Sequence, residues 1–152
     1  MSSKTVVIAV DGSKNADHAF EKYCEIMHLR SNKLIALHIE DQLAIPADQA
    51  LTLSESHYEK ICKEHNEDIE ALKANYRSKA QRYHIEKYEF RSLLNREPGV
   101  LICEFAENVG AIQIVMGTRG LGLIRRTVLG SVSDYVVTHA KTPVTIIPMA
   151  AN

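Results

Sequence analysis

The chain has 152 residues, 45% of them hydrophobic, and its 18 basic and 19 acidic residues leave a formal net charge of −1. This length favours a single domain over 1–152, with enough apolar residues for a packed core. The charge balance argues against nucleic acid or an anionic membrane as a partner. No apolar run is long enough to span a membrane. The three cysteines show no zinc spacing, and no cleavable leader is recognisable, so we expect a cytoplasmic protein.

The first third of the chain predicts two buried strands with a helix between them. Residues 4–10 (KTVVIAV) form a β-branched run that is typical of a strand buried on both faces. The helix predicted over 15–29 follows a break in which Asp11 or Ser13 could act as the cap. Residues 32–39 form the second strand. The helix positions expected to face the core are Ala16, Ala19, Phe20, Tyr23, Ile26 and Met27.

The middle of the chain predicts a loop over 40–53, with at most a short helical start, and then a long helix over 54–83. One apolar stripe on that helix comprises Tyr58, Ile61, Cys62, Ile69, Leu72 and Tyr76. Residues 85–93 alternate apolar and polar, which suggests a strand near a sheet edge. Pro98 suits the first turn of the helix that contains 100–109, and Gly110 suits its end.

The last third predicts two further strands, at 111–117 and within 142–148, with a helix from about 129 to 139 between them. The strict alternation of strands and helices indicates a parallel sheet with right-handed crossovers and helices on both faces. Such sheets bind ligands beyond the carboxyl ends of their strands. The segments 10–13 (VDGS) and 117–131 (GTRGLGLIRRTVLGS) are expected there.

The segment 117–131 has the chemistry of an anion site. A helix N-terminus presents unpaired N–H groups and a partial positive charge, and glycine lets the backbone approach a phosphate closely. The arginines at 119, 125 and 126 add positive charge, and the hydroxyl of Ser131 could donate to a phosphate. Neither the P-loop pattern nor G-x-G-x-x-G is present. These features favour a phosphate site over a merely flexible loop.

The spacing of Gly117, Gly120, Gly130 and Ser131, G-x2-G-x9-G-S, resembles the nucleotide-binding signature of the universal stress protein family, in its ATP-binding branch. The resemblance extends to VVIAVDGS, to LIALHI and to the last two βα units, and leaves 40–83 unmatched. It implies an α/β fold with a doubly wound, five-stranded parallel sheet, Rossmann-like, with strand order 3-2-1-4-5.

The resemblance also implies a ligand, namely ATP, or AMP or ADP, bound with Mg²⁺. Asp11 would hold Mg²⁺ or a ribose hydroxyl, with a helix cap as the alternative role, and Ile39 is the favoured adenine contact of the second strand. His38, beside this site, is more often structural than catalytic. The full set of expected nucleotide contacts is Ala9, Val10, Asp11, Ile39, Met116, Gly117, Arg119, Gly120, Gly130, Ser131, Val132 and Ser133.

The function expected from this resemblance is an ATP-binding stress-response regulator that acts on an unidentified protein partner. A slow Mg²⁺-dependent ATPase and a nucleotide-independent scaffold are the alternatives, and the sequence identifies no catalytic base. The family commonly dimerises through its last strand, so an edge strand here implies a homodimer formed by Val144, Thr145, Ile146 and Ile147. A strand covered within its own domain is the alternative.

Overall fold

The computed structural model describes residues 3–40, 45–94, 97–118 and 129–149, and these form one five-stranded parallel sheet. The strands are β1 (Thr5–Ala9), β2 (Lys33–Glu40), β3 (Tyr88–Leu94), β4 (Ala111–Gly117) and β5 (Val144–Ile147). The helices are α1 (Lys14–Ile26), α2 (Ala47–Ala50), α3 (Glu55–Arg82), α4 (Pro98–Asn108) and α5 (Ser131–His139). The sheet order β3-β2-β1-β4-β5 confirms the predicted fold.

Helices cover both faces of the sheet. Successive residues of a strand point to opposite faces, so an apolar strand contributes to a core on each side. Val6 and Ile8 of β1 belong to a core that α1 and α3 complete with Phe20 and Tyr76. The intervening Val7 belongs to a second core, which α4 and α5 complete. The continuous apolar run of the first strand therefore serves two cores at once, as its sequence predicted.

The first helix confirms most of its predicted core positions. Ala16, Ala19, Phe20 and Tyr23 are buried, and Met27 packs against the first core. Ile26 was expected to face the core, and that prediction was wrong, since 71% of its surface is exposed. Ile26 is the last residue of α1 and points away from the core, whereas the next residue, Met27, packs against it.

The predicted apolar stripe of α3 is buried only near the end of the helix. Tyr76 is fully buried and Leu72 packs against the first core, whereas half of the Tyr58 surface is exposed. A helix of 28 residues is about 42 Å long, which exceeds the length of any strand in this sheet. The first turns of α3 therefore extend beyond the sheet.

The edges and turns agree closely with the sequence. β3 and β5 are the two edge strands of the sheet. α4 begins at Pro98, and Gly110 follows its end with a φ of +61°. The region 40–53 contains the four-residue helix α2. Within the described part of the chain, no helix combines the length and the apolar character needed to cross a membrane.

Candidate functional site

A cavity of about 620 Å³ lies at the carboxyl ends of β1, β2 and β4. Its wall includes eight of the residues predicted to contact a nucleotide, namely Ala9, Val10, Asp11, Ile39, Met116, Gly117, Val132 and Ser133. Gly130 and Ser131 lie directly before Val132, at the start of α5. Arg119 and Gly120 lie outside the described residues, as do the arginines at 125 and 126.

Sequence reasoning gave five other residues of the cavity wall no place at the site. They are Asn15 and Ala16 from α1, His65 from α3, and Pro98 and Ile102 from α4. Each lies on a helix whose pattern indicated only helix formation or core packing. Ile102 also belongs to the second core. No local pattern in the sequence distinguishes a helix residue that lines a cavity from one that packs elsewhere.

Among the residues that the structure describes, none provides a side-chain cap for the N-terminus of α5. The cap residue is Gly130, with φ −61° and ψ 156°, and the first N–H that bonds within the helix is that of Asp134, to the Gly130 carbonyl at 2.8 Å. The N–H groups of the first three residues of α5 therefore have no acceptor within the helix. They point out of its positive end, beside the cavity, where an anion would be stabilised.

By contrast, the N-terminus of α1, at the same edge of the sheet, has a side-chain cap. The hydroxyl of Ser13 accepts the N–H of Ala16 at 3.2 Å, so the structure selects Ser13, and not Asp11, as the cap. One carboxylate oxygen of Asp11 accepts the N–H of Ser13 at 2.9 Å and so stabilises the turn. Gly12 lies between them with a φ of +78°, which glycine adopts without strain.

Two of the predicted nucleotide contacts have structural tasks as well. The buried hydroxyl of Ser133 donates to the Gly117 carbonyl at 3.1 Å, which ties α5 to the end of β4. A Cβ at Gly117 would lie 2.6 Å from the Asn15 carbonyl oxygen, so glycine is needed for the close approach of β4 to α1. The site and the packing of these elements depend on the same residues.

The end of β2 presents backbone groups to the cavity. The Val10 N–H donates to the Leu37 carbonyl at 2.9 Å, so the backbone groups of Leu37 point towards β1. Alternate residues of a strand direct their backbone groups to the same side, so the N–H and C=O of Ile39 also point towards β1. They lie beyond Ala9, where β1 has ended. The Val10 carbonyl accepts the Nδ1–H of His38 at 2.9 Å. This bond gives His38 the structural role that the sequence favoured.

The same end of the sheet carries an ionised carboxylate. Glu40, the last residue of β2, accepts the Ser92 hydroxyl and lies 3.1 Å from Nε2 of His65. The Ser92 hydrogen bond, followed by the bond to His65 and by electrostatic interactions with the imidazoles of His65 and His38, lowers the pKa of Glu40 below its ordinary value, although burial opposes the shift. Glu40 is therefore negatively charged at neutral pH.

Comparisons with known proteins agree with this fold. A protein of Staphylococcus haemolyticus assigned to the universal stress proteins is 26% identical over 147 residues, covering 97% of this chain and 86% of its own. A universal stress protein solved with cAMP is 24% identical, with a TM-score of 0.70 and coverage of 97% and 98%.

A solved family member from Arabidopsis thaliana, with AMP bound, is 23% identical to this chain, with a TM-score of 0.66 and coverage of 97% and 93%. At these identities the solved structures establish the fold alone. The model of the universal stress protein family matches residues 2–148. The chain therefore belongs to the universal stress protein family.

Proposed function

We propose that this chain binds an adenine nucleotide in the cavity and acts as a nucleotide-dependent stress-response regulator. The observation that carries the proposal is the N-terminus of α5, which starts at a glycine cap without a side chain and lies beside a cavity at the carboxyl edge of the sheet. Three backbone N–H groups and the helix dipole together favour a phosphate there. The AMP and cAMP found in two related structures support an adenine nucleotide as the ligand.

The geometry suggests an orientation for the ligand. The phosphates would lie at Gly130–Ser133, with Met116 and Gly117 beneath them and Arg119 and Gly120 adding contacts from the signature. The base would lie at the end of β2, where the N–H and C=O of Ile39 can pair with the polar edge of adenine. Ala9 and Val10 of the central strand lie between these two ends and would contact the sugar.

Asp11 is proposed to contact a ribose hydroxyl or a Mg²⁺ ion held by the phosphates. It is exposed and lines the cavity, although one carboxylate oxygen already accepts the Ser13 N–H. The described residues contain no group of three carboxylate, histidine or cysteine ligands for a metal. Magnesium often binds through one or two carboxylates together with substrate phosphates, so Asp11 alone fits an ion that arrives with ATP.

The regulatory role would follow from the number of elements that the cavity joins. A ligand in it would contact β1, β2, β4, α3 and α5 together, and could shift the balance between two arrangements of these elements. A partner protein that recognises one arrangement would then sense the nucleotide. The slow ATPase would be favoured instead if the wild-type protein releases phosphate from ATP and Asp11→Ala still binds ATP but releases none.

A homodimer through β5 is the assembly that we propose. β5 pairs only with β4 among the described strands and lies at the edge of the sheet. Its four residues, Val144, Thr145, Ile146 and Ile147, are half-buried, and an apolar edge of this kind favours pairing with a second copy. Light scattering at micromolar concentration should give a mass near 34 kDa, twice the 17.0 kDa of the chain. A monomer mass would contradict this interface.

Calorimetric titration of the purified protein tests nucleotide binding. We expect AMP and ATP to bind with micromolar affinity, ATP in the presence of Mg²⁺, and GMP to bind at least tenfold more weakly because its base edge does not match the groups of Ile39. Absence of heat with AMP and ATP, from a protein shown to be folded by circular dichroism, would reject the proposal and favour the scaffold.

A further inference from the structure

α3 contributes one side chain to the cavity wall, that of His65. Only a quarter of this side chain is exposed, and its Nε2 lies 3.1 Å from Oε2 of Glu40. The other carboxylate oxygen of Glu40 accepts the hydroxyl of Ser92 on β3. The imidazole of His65 is thus held in place by a chain of hydrogen bonds that joins three elements of the fold.

The hydrogen bond between Glu40 and His65 determines which ring nitrogen of His65 remains for a ligand. An ionised carboxylate only accepts hydrogen bonds, so Nε2 of His65 must carry the proton that Glu40 accepts. In the neutral ring Nδ1 is then an acceptor. Across the described ranges, Nδ1 has no hydrogen-bond partner. His65 therefore presents an oriented and unused acceptor on a ring that lines the cavity.

The position of His65 identifies the part of the ligand that it would meet. The anion-binding end of α5 adjoins β4, whereas Glu40 and His65 lie at β2, on the other side of β1. Two strand spacings separate β4 from β2, about 10 Å, which is comparable with the length of a nucleoside. With the phosphates at α5, the nucleoside would reach the end of the cavity where His65 lies.

We propose that His65 is a ligand-binding residue of the nucleoside end, and that its Nδ1 accepts a hydrogen bond from an amino or hydroxyl group of the nucleoside. Glu40 is the positioning residue that holds the ring. This inference rests on the proposed nucleotide function. It gives α3, from the region of the sequence that no motif explained, a direct contact with the ligand.

Titration of four proteins with AMP and with adenosine tests this contact. His65→Gln keeps a donor for Glu40 but removes the atom at the Nδ1 position, so it should lower the affinity for both ligands by the same factor, about tenfold. His65→Ala should behave alike. Asn66→Ala, at the exposed neighbour on α3, is the matched control and should bind like the wild type.

A double variant separates positioning from general damage to the fold. Glu40→Ala should weaken AMP binding in the wild-type background but add no further loss in His65→Gln, because the contact that it supports is already gone. IMP and deoxy-AMP identify the donor group. IMP lacks the amino group of adenine, so if that group is the donor, His65→Gln should not change the affinity for IMP. Deoxy-AMP lacks the 2′-hydroxyl, so if the hydroxyl is the donor, His65→Gln should not change the affinity for deoxy-AMP.

The outcomes distinguish this inference from the proposed function. Wild-type protein that fails to bind AMP would overturn both. Wild-type binding that His65→Gln leaves unchanged would overturn the role of His65 alone. A loss of affinity for AMP without any loss for adenosine would place the effect on the phosphate and would also overturn it.

Discussion

Single residues in the wall of the cavity also hold neighbouring parts of the fold together. The Ser133 hydroxyl joins α5 to β4, and the carboxylate of Asp11 stabilises the turn after β1. His38 uses Nδ1 to hold the Val10 carbonyl. Each of these bonds fixes the position of a neighbouring group that faces the cavity. A substitution here should therefore alter the stability of the fold and the binding of a ligand together.

Gly117→Ala should destabilise the protein by about 1–3 kcal/mol. The added Cβ would lie 2.6 Å from the Asn15 carbonyl oxygen and 2.9 Å from its carbon, and this backbone can only move by shifting the start of α1. Urea unfolding measures the change. Gly110→Asn is the control, since Gly110 has open space around it and asparagine tolerates its φ of +61°. Equal stability of Gly117→Ala and the wild type would contradict this packing.

Glu40→Gln should make the protein less sensitive to acid. Hydrogen bonds from Ser92 and His65 lower the pKa of Glu40 in the folded state below its ordinary value of 4.5. The stabilisation that they give is complete above that value and is lost as the pH falls through the folded pKa. We expect the difference in unfolding free energy between wild type and variant to shrink as the pH falls from 6 to 3. A difference that is constant with pH would contradict the role of this carboxylate.

At the scale of elements, α3 has two parts with different surroundings. Its last turns pack on the sheet through Tyr76 and Ala80, and Lys79 forms an ion pair with Glu21 of α1 at 2.5 Å. Its first turns extend beyond the sheet and leave Tyr58 half exposed. The contact between His65 and Glu40 lies between these parts. The helix is therefore anchored at one end and at its middle.

Amide hydrogen exchange should resolve these two parts of α3. We expect the amides of 55–64 to exchange faster than those of 72–82, because fewer buried contacts oppose local opening in the first turns. Mass spectrometry of peptides from the two ranges, after equal exchange times, makes the comparison. Similar protection over the whole helix would show that the first turns are covered in solution, for example by a second copy of the chain.

At the scale of the whole molecule, the order of elements was predictable because parallel strands need crossover helices. The sequence shows this requirement as a strict alternation of strand patterns and helix patterns. The glycine and serine positions at the start of α5 were predictable because helix N-termini have a recognisable chemistry. His65 was not, because its approach to the cavity depends on how α3 packs across the sheet. The exposure of Ile26 depends in the same way on which face of α1 packs against the sheet.

We propose that the N-terminus of α5 holds the phosphate of an adenine nucleotide. Proline is favoured at the first helical position, and Gly130 already has the extended conformation that a following proline requires. Ser131→Pro therefore removes one backbone N–H, together with the hydroxyl, while the helix is retained. Ser131→Ala is the matched control, since it removes the hydroxyl alone.

The measurement to make is the calorimetric affinity of both variants for AMP and for adenosine. One hydrogen bond to a charged phosphate is worth about 1.5–3 kcal/mol, so Ser131→Pro should bind AMP roughly 10- to 100-fold more weakly than Ser131→Ala. The two variants should bind adenosine equally. Equal affinities for AMP in the two variants would contradict the account, because the phosphate would then lie away from α5.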